Sequence, residues 1–412
     1  MRYPPPMRLV TLLLLIAATT AHSKAQWEIE DSHTTASLRG IHNVGGGIAW
    51  ASGTNGTVLR TTDDGKTWQT CPVPLAGTKD TAEKLDFRGI QAFDAQTAIV
   101  MSSGPGDLSR LYKTTDGCQT WKLLFTNPDK DGFFDSIQVT MNPPEWRTDG
   151  KKAYTGKVIG DPVDGKFAEF DSSDGEHWSK NSGGEAGAPT AMHGEGLFAA
   201  SNSNLLLSPG GSIFVTGGTS GSRSRTLSEF VKHDPHVSWK YIGGDIPMAR
   251  GESAGTFSIA TSTDFNQLSE VPAEQGFTVY YFRRDAICVA VGGDYKKPDE
   301  TKGTAALTLD GGQHWLPAQT PPHGYRSAVA YDPNKKTWIT VGPNGTDVST
   351  DDGRNWRALT PTSLDEKDAD KNWNALSLPF VVGPKGRIGK LRPTAILPIV
   401  LPATTGSKVA KP

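Results

Sequence analysis

The sequence predicts an all-β fold: a seven-bladed β-propeller with four-stranded blades, its ring closed by the N-terminal strand. Three observations carry this expectation. An acidic turn ending in Trp recurs along the chain, a fixed series of short strands precedes each copy, and the last series lacks an outer strand that the N-terminal region can supply. Composition agrees. With 36% hydrophobic and 21% charged residues, 46 Gly and 28 Pro among 412 residues, the chain is rich in turns and poor in helix-forming runs.

The turn is "TTDDGKTW" (61–68), repeated as "TTDGCQTW" (114–121), "TLDGGQHW" (308–315) and "STDDGRNW" (349–356). "SSDGEHW" (172–178) is one residue shorter, and "HDPHVSW" (233–239) keeps only Asp234 and Trp239. Aligned on Trp68, Trp121, Trp178, Trp239, Trp315 and Trp356, the copies are 41 to 76 residues apart. Before each Trp comes a strand opening such as "LRGIHNV" from Leu38, "FRGIQAF" from Phe87, "FDSIQVT" from Phe134 or "YRSAVAY" from Tyr325. An apolar strand ending in Gly follows, as in "IAWASG" from Ile48 or "CVAVGG" from Cys288. A third strand enters the turn and the Trp starts a fourth. Four short strands per repeat at this period describe a propeller blade, whereas a sandwich of independent hairpins would not keep this internal order.

Six blades are marked by Trp. A seventh, "NWNALSLPFVVGPKGRIGKL" (372–391), has three strands and no Trp turn. "QWEIED" (26–31), with Trp27 in the anchor position, supplies the missing outer strand and leaves no open edge. Six blades plus a fragment is the alternative count.

Within the turn the chemistry is local. Asp63 and Thr61 can accept hydrogen bonds from nearby backbone N–H groups. Gly65 supplies a positive φ, and Trp68 buries its ring with its N–H near a partner. The pattern resembles the Asp-box (BNR-type) repeat, in which the turn joins third and fourth strands and specifies the fold. That resemblance assigns structural roles to Asp63, Gly65, Trp68, Asp116, Trp121, Asp174, Trp178, Asp310, Gly312, Trp315, Asp351, Gly353 and Trp356, with Cys118 standing in one Gly position. Each turn offers one useful carboxylate on its own blade, so no metal site is expected.

The ends suggest export. Two Arg precede the apolar run "LVTLLLLIAATT", and small residues at Ser23 and Ala25 follow. This is the layout of a signal peptide over 1–25, leaving a propeller over 26–392 and a flexible tail over 393–412. A periplasmic or secreted protein follows, with no membrane span after signal removal and a monomeric state. Cys71, Cys118 and Cys288 are an odd number without CxxC spacing, so the expectation is neither a disulfide framework nor a metal site. The net charge of −2 argues against nucleic acid as a partner.

Ligands of propellers gather at the mouth of the central channel. Aligning the innermost strand openings places Arg39, Arg88, Asp135, Glu195, Glu252, Arg326 and Trp373 there, with His193, Arg250 and Tyr325 beside them. Three Arg, three carboxylates and a Trp suit a protein or a polar or anionic ligand, or else neutralise one another as a ring of salt bridges. In "GGTSGSRSR" (217–225), Arg223 and Arg225 extend that surface or sit in a solvated loop, while Asp161 and Asp164 of "GDPVDGKF" (160–167) cap turns. P-loop, GxGxxG and HExxH patterns are missing, so no cofactor is expected.

Across the chain after residue 25, the sequence is similar to the BNR/YVTN-type propellers of the photosystem II assembly factors. That resemblance implies a non-catalytic, exported scaffold binding a protein through an Arg-rich face. Sialidases are more distant relatives of the same type. They imply the alternative, a carbohydrate-active hydrolase or lyase using Asp135, Glu195 and Glu252, which requires those carboxylates to converge.

Overall fold

The computed structural model describes residues 26–73, 85–141, 154–181, 188–208, 211–230, 238–262, 271–272, 278–279 and 286–395. Seven four-stranded antiparallel blades follow one another along the chain. Blade 1 comprises Leu38–Gly45, Ile48–Gly53, Val58–Thr61 and Gln69–Thr70. Blade 2 comprises Phe87–Ala92, Ala98–Ser102, Arg110–Thr114 and Lys122–Thr126. Blade 3 is Phe134–Met141, Tyr154–Val163, Lys166–Ser172 and Ser179–Lys180. Blade 4 is Leu205–Ser208, Gly211–Val215, Ser222–Phe230 and Ser238–Ile242. In blade 5 the strands are Ala254–Thr261, Cys288–Asp294, Ala305–Thr308 and Leu316–Pro317. Those of blade 6 are Ala328–Asp332, Thr337–Gly342, Gly345–Ser349 and Arg357–Ala358.

Blade 7 is built from both ends of the ring. Ala375–Ser377, Phe380–Val382 and Ile388–Leu391 are completed by Trp27–Glu30, which pairs antiparallel with the last of them, Trp27 opposite Leu391 and Glu30 opposite Ile388. Asp365 Oδ1 accepts hydrogen bonds from the Gln26 and Trp27 amides at 2.8 and 2.9 Å. Seven blades, not six and a fragment, therefore form the ring. The signal segment, residues 396–412 and Asp234 lie outside the described residues.

Most second strands are apolar and buried along almost their whole length, as in "AIVMS" and "TWITVG". Such runs fit a strand covered on both faces, and here the neighbouring blades provide both covers. The core is accordingly a series of clusters between blades. One joins Leu38, Leu59 and Trp68 of blade 1 to Phe380, Val382 and Ile388 of blade 7. Another joins Met101 and Leu111 of blade 2 to Phe134, Val158 and Trp178 of blade 3.

The acidic turns are closed by their own side chains. In the first, the Gly65 amide donates to Thr61 Oγ1 at 3.0 Å and the Thr67 amide to Asp63 Oδ1 at 2.9 Å. Gly65 has φ +89°, with a Glu30 carboxylate oxygen 2.1 Å from where a Cβ would stand. The same bonding recurs at Asp116, Asp310 and Asp351, and in shortened form at Asp174. Hydrogen bonds from the Thr120 hydroxyl and amide hold Asp116 at about 2. Trp68 Nε1 donates to Glu30, Trp315 Nε1 to Gly312 O and Trp356 Nε1 to Gly353 O. These carboxylates are spent on their turns.

Cys118 explains the one departure from the turn pattern. It sits at φ +67° in the Gly position and forms a disulfide with Cys71, tying the turn of blade 2 to the end of blade 1. This corrects the expectation that the cysteines make no crosslink: the third, Cys288, is free and buried, so the odd total hid one pair.

Candidate binding site at the mouth of the central channel

The innermost strands do not run straight. In blades 1, 2, 3 and 5 their pairing with the second strand slips by one residue, between Leu38 and Gly40, Phe87 and Gly89, Phe134 and Ser136, and Thr256 and Ser258. The extra residues are Arg39, Arg88, Asp135 and Phe257. A bulge re-aims the side chain it carries, and all four line one cavity of about 440 Å³. Residues of every blade, or of the segments leading into them, complete its wall, placing the cavity on the propeller axis where the innermost strands begin.

One side of the wall is charged. Asp86 lies between the two arginines: Arg88 Nε donates to Asp86 Oδ2 at 2.8 Å, and Arg39 Nε is 3.8 Å from Asp86 Oδ1. Arg88 also donates to Ala199 O at 3.2 Å and lies over the Phe133 ring. Asp135 is 1% exposed. Burial and the neighbouring Asp161 raise its carboxyl well above the usual range, against the pull of Arg88 and of the Asp161 and Ala199 amides. Asp161, raised by burial, accepts the Leu197 amide at 2.9 Å.

Aromatic side chains also line the cavity. Phe198 and Phe257 stack with centroids 4.0 Å apart, and Phe257 meets Tyr325 edge-on at 4.8 Å. Tyr295 is half exposed at the rim, and Trp373 is buried with Trp27 stacked on its far side.

Of the residues the sequence aligned to the mouth, the cavity brings together Arg39, Arg88, Asp135, Tyr325 and Trp373. It does not include Glu195, Glu252, Arg326, His193 or Arg250. Glu195 opens a two-residue strand paired with Gly217–Gly218, ahead of the true innermost strand of blade 4. Its buried carboxylate accepts from Thr216 Oγ1 at 2.7 Å and from Arg225 at 3.0 Å. Glu252 is exposed in the turn before blade 5, where Phe257 takes the bulge position, and His193 and Arg250 are exposed. Arg326 precedes a strand without a bulge and points back into blade 6. Fully buried, it donates to Asp347 Oδ2 from Nε at 2.8 Å and to Asn344 Oδ1. Of Asp135, Glu195 and Glu252, only Asp135 lines the cavity. Arg223 pairs with Asp245 at 3.0 Å. Asp164, at φ +52°, turns the blade 3 hairpin, while Asp161, expected to cap a turn, faces the cavity.

Sequence reasoning missed Asp86, Phe198, Phe257 and Tyr295. Asp86 stands directly before the "FRGI" opening, and an acid one residue ahead of an arginine-bearing strand was the available signal. Phe198 and Tyr295 lie on connections that no repeat alignment covers.

No family model matches the chain, and no curated protein matches it in sequence. Solved structures match in fold. The structure of YCF48 bound to D1 peptide is 17% identical, with a TM-score of 0.54 over 90% of this chain and 97% of that one. YCF48 from Cyanidioschyzon merolae is 15% identical, with a TM-score of 0.55 over 90% and 100% of the two chains. The propeller is built like YCF48. The resemblance to photosystem II assembly factors expected from the sequence is thus met at the level of fold.

Proposed function

We propose that the protein is an exported, non-catalytic scaffold that binds a segment of another polypeptide at the channel mouth. The observation that carries this reading is the convergence of four bulged residues, Arg39, Arg88, Asp135 and Phe257, on one cavity lined by charged and aromatic side chains. Bulges that aim side chains off the sheet serve a site rather than the ladder. A polypeptide segment presents the matching mixture of polar backbone and apolar side chains. The fold shared with a propeller solved with a bound peptide supports the same reading. Export is supported by the Arg-flanked apolar run near residue 1 and by the Cys71–Cys118 disulfide, which persists in oxidising compartments.

Site-specific photo-crosslinking tests it. A photoreactive phenylalanine at Tyr295, on the exposed rim, is expected to capture a discrete polypeptide in the native cell envelope, and Arg39→Ala/Arg88→Ala to abolish the adduct. An unchanged adduct in the double variant, or none in the parent, would sink the proposal. Fractionation of the same cells checks export.

A further inference from the structure

Three polar atoms at the charged side of the cavity lack a hydrogen-bond partner: Asp135 Oδ2, Arg39 Nε and Asp86 Oδ1. The first belongs to a side chain almost fully buried in the cavity wall. Buried polar groups are nearly always satisfied, and those left open at a cavity wall mark where a ligand atom belongs. Charge decides which kind. The charged groups facing Asp135 are Arg88, from blade 2, and Asp161, from the second strand of its own blade. Burial drives both Asp135 and Asp161 toward the protonated form. Two guanidinium groups, Arg39 and Arg88, stand at the same wall. A protonated carboxyl is also a donor, so Asp135 offers hydrogen to an incoming acceptor, as does the Arg39 guanidinium, whose Nε stands 3.8 Å from Asp86 Oδ1, beyond hydrogen-bond reach. The Phe198, Phe257 and Tyr325 cluster lines the same cavity.

We propose that the mouth is a carboxylate subsite, in which Arg39 and Asp135 hold one carboxylate of the bound segment while Phe198, Phe257 and Tyr325 receive an adjacent aromatic or large apolar side chain. The inference rests on the polypeptide-binding reading and specifies what that polypeptide presents. The carboxylate is either a chain end or an Asp or Glu side chain.

Calorimetric titration of the folded protein separates these outcomes. N-acetylphenylalanine carries the carboxylate at a chain end, and N-acetylaspartylphenylalaninamide carries it on a side chain. At least one is expected to bind, about tenfold or more tightly than the corresponding neutral amide; the tighter of the two identifies the source. Equal binding of acid and amide, or no binding of either acid, overturns the inference without any variant being needed. Asp135→Asn keeps a donor and is expected to stay within about threefold of the parent, while Asp135→Leu loses about tenfold. Equal affinity in the leucine variant and the parent, or equal loss in both variants, overturns the donor role. If small carboxylates bind but no polypeptide crosslinks at Tyr295, the scaffold reading fails and the subsite stands. Crosslinking with indifference to ligand charge is the reverse result.

Discussion

Arg39 and Arg88 occupy the same bulge on adjacent blades and share one counter-ion, Asp86, which accepts a 2.8 Å hydrogen bond from Arg88 and lies 3.8 Å from Arg39. All three side chains are less than one third exposed, at 31%, 27% and 22%. Asp86→Asn therefore leaves two partly buried guanidinium groups without their anion. Stability should fall by about 1 kcal/mol, as for a partly screened pair, while affinity for N-acetylphenylalanine rises. Urea midpoints and calorimetry read the two effects, and a loss of affinity would show that Asp86 itself contacts the ligand.

The Cys71–Cys118 bridge closes a 47-residue separation. Chain-entropy estimates for a loop of that length give about 4 kcal/mol. Cys71→Ser/Cys118→Ser should lose roughly 2–4 kcal/mol in guanidinium unfolding. Cys71→Ser/Cys118→Gly should recover several tenths of that, because position 118 has φ +67° and glycine adopts it freely. Matching losses in the two variants would show that the backbone at 118 is unstrained in the absence of the bridge.

The fold was legible because it repeats. Trp, Asp and Gly at fixed offsets report strand order directly, and the missing outer strand of one blade matched the surplus strand at Trp27. The site was legible only where that repeat stays regular. "LRGI", "FRGI" and "FDSI" share a bulge, and Arg39, Arg88 and Asp135 face one cavity as alignment implies. "HGEG" and "RGES" imitate the same opening ahead of the innermost strand, Glu195 in a two-residue strand and Glu252 in a turn, so neither takes the bulge position. Arg326 has the right position but no bulge, and the buried Asp347 draws it into the blade instead. Side-chain direction at a bulge depends on pairing partners far away in sequence, which a local motif does not encode.

Blades 1 and 2 are joined by a second, pH-sensitive contact. The Ala92 amide donates to His42 Nδ1 at 2.7 Å, a bond that only the unprotonated nitrogen accepts. Desolvation holds the imidazole at about 4, below the free value of 6.5. The folded value is depressed, so this contribution is complete above about 6.5 and is lost as pH falls toward 4 and below, by about 3 kcal/mol at most. His42→Asn retains an acceptor and does not titrate. Its urea midpoint should therefore decline less than that of the parent between pH 6.5 and 4, and parallel curves would remove His42 from the acid response.

Ring closure and the binding cavity meet at one stacked pair. Trp27, on the closing strand, stacks on Trp373 at 6.0 Å and 24°, and Trp373 also lines the cavity and has the Arg387 guanidinium 4.8 Å from its ring. Both indoles are buried, at 4% and 1% exposure, so Trp27→Ala opens a void behind the cavity wall and should cost about 3–5 kcal/mol. Because Trp373 loses its support, affinity for N-acetylphenylalanine should weaken as well, even under conditions where the variant is fully folded. Asp365→Ala removes the hydrogen bonds to the Gln26 and Trp27 amides but leaves the stack, and should cost about 1–3 kcal/mol with affinity retained. Deleting residues 26–30 uncovers the Ile388–Leu391 edge, and light scattering should then report association that the point variants do not show. If Trp27→Ala lowers stability yet binds as the parent does, closure and binding are independent, and the wall at Trp373 is held by blade 7 alone.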